Sequence, residues 1–80
     1  MKTAYDMFRE HGYTVEDSED FVMFSKGDTI IHVSKDPPIT FGKLVRRTDL
    51  FPFSVNFIVK FNRDEIMDCA QLIRELEEET

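Results

Sequence analysis

Six residues near the C-terminal end, Phe61-Asn62-Arg63-Asp64-Glu65-Ile66, leave this chain the least conformational freedom. Asn62 suits a helix N-cap, because its side-chain oxygen can accept from an otherwise unsatisfied first-turn N–H. Glu65, three residues on, can bond back to the Asn62 N–H, and Phe61 with Ile66 occupies the positions of a hydrophobic staple. A strand therefore ends here and a helix begins, predicted over residues 63–78. Ile66, Cys69, Ile73 and Leu76, widened by Ala70 and Leu72, form its expected core stripe. At about 100° per residue, Asp64, Asp68, Gln71, Glu75 and Glu79 fall on the far side, an acidic face.

The rest of the chain reads as short elements around turn signals. Thr3 and Asp6 form a second capping pair, and Ala4, Met7, Phe8 and His11 repeat at helical spacing. Gly12 then stops a helix predicted over residues 3–11. Tyr13-Thr14-Val15 starts a short extended piece. Residues 21–25 and 29–34 are strands joined by a tight turn at Lys26-Gly27-Asp28. Asp36-Pro37-Pro38 ends the second, because proline has no N–H for a ladder. Residues 39–47 form a weaker strand candidate with Gly42 at its centre, and Thr48 to Pro52 is a connection. From Phe53 to Phe61 apolar and polar residues alternate, except at Ile58, as in a strand with one buried face.

The implied fold is α+β in the order α-β-β-β-β-α, one domain over residues 1–80. An antiparallel sheet of three to four strands carries the N-terminal and C-terminal helices on one face. The second face is left open, with Phe24 or Val22, Ile30 and Ile58 as its candidate apolar residues. Eighty residues with 41% hydrophobic content supply one modest core.

Charge is segregated along the chain. Residues 1–20 hold two basic and six acidic side chains, residues 21–61 six and three, and residues 62–80 two and seven. The net charge of −6 argues against direct nucleic-acid binding, which needs positive surface. Lys43, Arg46, Arg47 and Lys60 are expected as edge-strand cations and as partners for the acidic helices. The single cysteine excludes an intramolecular disulfide and a thiolate cluster, and fits a reducing compartment. With no apolar run of membrane-spanning length and no signal-peptide pattern at residues 1–4, the expectation is a cytoplasmic protein with no membrane association.

The pattern carries no reaction chemistry. Cys69 lies mid-helix beside Asp68, a setting for a small core residue and not for a thiolate nucleophile. His11 falls at a helix C-terminus, where a cation is favoured. His32 is expected at the surface. No catalytic, cofactor-binding or metal-ligating residue is assigned: glycine-rich phosphate loops, nucleophile elbows and metal-ligand spacings are all missing from the sequence.

The series Ala4, Met7, Phe8, Gly12 and Tyr13 resembles the opening of a group of small phage and prophage proteins. In these a short helix ending in Gly-Tyr precedes acidic residues. Strands like Phe21-Val22-Met23-Phe24-Ser25-Lys26 and Thr29-Ile30-Ile31-His32-Val33 follow, and the helix Ile66, Met67, Ala70, Gln71, Leu72, Ile73, Glu75, Leu76 completes the resemblance, which skips Asp36 to Pro52. It implies a setting in mobile elements, inside a host cell, and no transferable catalytic residues. The expected role is a non-enzymatic protein that binds another protein. Asp64, Asp68, Glu75, Glu78 and Glu79 are the candidate partner contacts, and a basic nucleic-acid-binding host protein is the candidate partner. One alternative is an acidic nucleic-acid mimic that inhibits a host defence nuclease of the CRISPR or restriction type. Another is a homodimer paired through open sheet faces or edges.

Overall fold

The computed structural model describes residues 2–47 and 55–78. The expected connection Thr48 to Pro52, the start of the expected last strand at Phe53 and Ser54, and Glu79 lie outside the described residues. The chain folds as α1 (Ala4–Glu10), β1 (Thr14–Asp17), β2 (Phe21–Lys26), β3 (Thr29–Ser34), β4 (Thr40–Arg47), β5 (Val55–Ile58) and α2 (Arg63–Glu78). The strands form one antiparallel meander in the order β1-β2-β3-β4-β5. The architecture is thus the α+β sheet with terminal helices that the sequence implies. The weak 39–47 segment forms β4, an interior strand paired on both sides, and the extended piece after Tyr13 pairs with β2 to bring the sheet to five strands.

Local chemistry accounts for each boundary. Thr3 caps α1 reciprocally with Asp6: the Asp6 N–H donates to Thr3 Oγ1 at 3.2 Å, and the Thr3 N–H donates to Asp6 Oδ2 at 3.3 Å. At the other end Gly12 takes φ +92°, a conformation costly for any residue with a Cβ. This lets the Gly12 N–H reach the Arg9 carbonyl and the Tyr13 N–H reach the Phe8 carbonyl, both at 3.0 Å. The pair of bonds makes a Schellman stop, sealed by an edge-on Phe8–Tyr13 ring contact with centroids 5.6 Å apart. Gly27, at φ +58°, fills the first central position of the two-residue β2–β3 turn.

The covered face of the sheet follows from strand register. Val22 is opposite Val33 and Phe24 is opposite Ile31, so these four side chains share one face and are buried. Ala4 and Phe8 of α1 and Cys69, Leu72 and Leu76 of α2 close over them as one apolar cluster. Phe8 stacks on Phe24 with ring centroids 3.7 Å apart. Burying a side chain of this size contributes about 1.5–3 kcal/mol, so a handful of residues carries most of the core. Val22 and Phe24 therefore belong to the covered face and not to the open one, where the sequence allowed either to lie. Phe61, the expected staple residue, packs edge-on against Phe41 with centroids 5.1 Å apart.

Candidate functional site

The acidic face of α2 does not form a solvent-facing track. The inward stripe of the helix is Glu65, Asp68, Cys69, Leu72 and Leu76, while Ile66 and Met67 are 55% and 57% exposed. Relative to the apolar stripe expected from sequence, the helix is rotated so that carboxylates enter the interior. Each has a structural reason to be there. Glu65, 3% exposed, accepts from Lys43 Nζ at 2.6 Å, from the Asn62 N–H at 2.7 Å and from the Tyr13 hydroxyl. Asp68, 1% exposed, meets His11 Nδ1 at 2.6 Å. Glu75 accepts the Ala4 N–H at 2.8 Å, at the positive end of α1. Three carboxylates of α2 thus run along α1 from one end to the other, placing the two helices antiparallel.

Of the five residues expected to meet a partner, Asp68 is therefore a buried ion-pair member and Glu75 a half-buried cap. Asp64 and Glu78 are exposed, and Glu79 lies outside the described residues. Asp68, expected on the acidic far side of the helix, is thus corrected to its inward side: burial of charge is tolerated where a carboxylate finds a donor, here His11. The signal for it was present in the spacing, since Glu65 lies four, seven and eleven residues before Cys69, Leu72 and Leu76. The donors on His11, Tyr13 and Lys43 were not predictable from local pattern.

Protonation follows these contacts. Burial pushes the Glu65 carboxyl up, but the Asn62 N–H, Lys43 and Tyr13 outweigh it and hold the group below the usual range. The Tyr13 hydroxyl is pushed up by burial and by its bond to Glu65. The hydrogen bond to Asp68 raises His11 above its ordinary value. A carboxylate-backed histidine is half of a general-base arrangement. Here the other charges acting on it are those of Asp64 and Glu10, not those of a nucleophile. Burial, followed by the charges of Asp68 and Glu65, pushes the Cys69 thiol up to about 12, so it stays protonated at neutral pH. Among the described residues no group of three or more His, Cys, Asp or Glu side chains is placed to hold a metal ion. Nor is any helix among them long and apolar enough to cross a membrane.

Among the described residues no helix lies on the opposite face of the sheet. Register places Ser25, Ile30, Leu44 and Ile58 in one row across β2, β3, β4 and β5, and Met23, His32 and Gly42 in the next. Phe21 lies diagonally beside His32 and stacks on its ring at 5.2 Å. Ile58 is 86% exposed. Because Gly42 lacks a side chain, and nothing lies within 4 Å of where a Cβ would stand, the surface dips there. The depression has a volume of about 400 Å³ and is edged by His32, Thr40, Leu44 and Ile58. Ile30 and Ile58 were expected on this face, and Phe21, Met23 and Leu44 extend it. Their parity follows once Val22 and Phe24 are turned inward.

A larger cleft of about 570 Å³ lies between Pro37, Pro38 and Ile39 and the end of α2 at Ile73 and Leu76. Lys35 on its wall is held by Asp17 and by the Ser18 carbonyl, the latter at 2.7 Å. Its ammonium is thus engaged beside the cleft, whose other charged lining residues are Glu19 and Glu77. No protein family, curated protein or solved structure matches the chain.

Proposed function

We propose that this chain is a non-enzymatic module of phage type that acts by binding another protein through the helix-free face of its sheet. One observation carries the reading: Ile30, Leu44 and Ile58 make an apolar row beside the dip at Gly42, on a face that no element of the described chain covers. A recognition surface needs an apolar centre that excludes water and a rim that selects the partner. Here the centre is that row, and His32 and Arg46 stand at its border. The net charge of −6 favours a cationic partner, because complementary charge speeds encounter more than it adds affinity.

The test is capture from host lysate by the immobilised chain, run in parallel with Ile58→Glu and with Asp64→Lys/Glu78→Lys. The reading expects a partner that survives added salt, is lost with Ile58→Glu and is kept by the charge-reversed variant. A partner held equally by Ile58→Glu overturns it. A partner that is released steeply by salt and lost with the charge reversal supports instead the nucleic-acid-mimic alternative, for which the exposed Asp64 and Glu78 are the remaining support.

A further inference from the structure

The outward side of α2 is as unusual as its inward side, and it does not belong to the sheet surface just described. At about 100° per residue, the side opposite Leu72 and Leu76 carries Arg63, Ile66, Met67, Ala70, Arg74 and Glu77. All six are exposed. Rotating the helix inward at Ile66 and Met67, which are 55% and 57% exposed, would take more apolar surface out of water. Instead Glu65 and Asp68 take the inward positions, held by Lys43, Tyr13 and His11. The contacts that set the phase of α2 thus keep Ile66 and Met67 more than half in solvent, within a stripe otherwise made of Ala70 and the charged Arg63, Arg74 and Glu77.

We infer that this stripe is covered by the same stripe of a second copy, the two helices antiparallel and crossing at Ala70. The residue numbers are self-complementary about that point. A two-fold axis at Ala70 sets Met67 against the half-buried Ile73 at the border of the second copy's stripe, and Ile66 against the aliphatic stem of Arg74. It also sets Arg63 against Glu77. Each contact occurs twice, as an isologous interface requires. The small Ala70 side chain lets the axes approach to the lower end of the usual ~8–10 Å range. Charge selects the direction. The stripe begins at Arg63 and ends at Glu77, with Arg74 one turn before that end. Parallel pairing would set like against like, whereas antiparallel pairing matches opposite charges and opposes the helix dipoles. Asp64 lies about 120° round the helix from Ala70, outside the contact.

The inference is independent of the partner reading above, because it uses a different surface. It is tested by sedimentation equilibrium of the full chain from about 10 μM to about 1 mM, a range that detects association of even modest strength. A dimer is expected. Met67→Glu raises its dissociation constant roughly a hundredfold, since each substitution enters the interface twice, and leaves the melting temperature of the dilute monomer unchanged. Arg63→Glu weakens the dimer, and Arg63→Glu/Glu77→Arg restores it. Neither change harms the isolated helix, because each puts the favourable charge at its end. Ile58→Glu leaves the dimer intact. A monomer across the whole range overturns the inference, as does a dimer that survives Met67→Glu. Failure of the double charge exchange to restore association overturns the antiparallel register.

Discussion

The two faces of the sheet invert the simple expectation for a soluble protein. The helix-covered face encloses carboxylates, Glu65 and Asp68, alongside its phenylalanines. The helix-free face carries half-buried Met23, Ile30 and Leu44 and leaves Ile58 almost fully exposed. Side-chain type alone does not decide which side is buried; at Glu65, satisfaction does. A carboxylate that accepts from an ammonium, a hydroxyl and a backbone N–H loses little on leaving water, whereas an apolar side chain with no layer above it has nothing to pack against. The covered face is therefore where stability resides, and the open face is where substitution should be cheap for folding and expensive for recognition.

The strongest way to break that contrast is in the apolar half of the covered face. Phe24 is fully buried and stacks on Phe8. Phe24→Ala should cost about 3–5 kcal/mol, the range for emptying an aromatic site in a packed core. Urea denaturation reads this as a large fall in midpoint. In a domain of this size such a loss approaches the whole stability, so a near-wild-type midpoint would show that the helices do not close over β2.

The polar half of the same face comes next. Glu65→Ala removes a group that joins α2 to Tyr13 and Lys43 and caps its own helix at Asn62. Breaking one partner of a buried pair costs about 3–5 kcal/mol. The lower end is expected here, because the flexible stem of Lys43 lets its ammonium turn toward water. Because the folded state holds the Glu65 carboxyl below its ordinary value, its contribution is complete above the unfolded value of 4.5. It is lost as pH falls through the lowered folded value. Wild type should therefore lose stability into acid more steeply than Glu65→Ala; parallel acid limbs would remove Glu65 from the ionised network.

These two substitutions also mark what was legible in the sequence. The caps at Thr3 and Asn62, the stop at Gly12, the turn at Gly27 and the break at the paired prolines are local chemistry. Each stands in the structure where its residue types demand. The phase of α2 was not legible in the same way. Hydrophobicity alone places Ile66 inward and Asp68 outward, but Asp68 is held by His11, 57 positions away in the chain. The open face was half legible: Ile30 and Ile58 could be placed on it, whereas Phe21 and Met23 waited on the register that turns Val22 and Phe24 inward. Propensity and periodicity carry local information, and long-range donors override them.

A smaller effect sharpens the comparison from the alkaline side. Asp68 Oδ1 is buried with no hydrogen-bond partner among the described residues, so His11 is the cation that answers this carboxylate. Around them stand Asp64 and Glu10, which favour the protonated imidazole, and Tyr13, Cys69 and Glu65 on the buried side. His11 is raised in the folded state by its bond to Asp68. Its contribution is thus fully present below the unfolded value of 6.5 and disappears as pH rises through the raised folded value. The melting temperature should decline as pH rises from 6.5 through the raised folded value. The decline should flatten in His11→Gln, whose amide does not titrate. An unchanged slope in the variant would assign the decline to other groups.

The smallest expected effect tests the open face directly. Ile58 ends the apolar row across β3, β4 and β5, and 86% of its surface is exposed. Removing an exposed side chain leaves no cavity, so Ile58→Ser should change stability by no more than about 0.5 kcal/mol. Its effect should appear elsewhere, in lower binding of a dye that reports exposed apolar surface and in lost capture of the protein partner. A drop of more than about 1 kcal/mol would mean that a further layer already packs over this face in the folded chain. The two sides of the sheet would then share the work of stability, and the apolar row would be core and not a recognition surface.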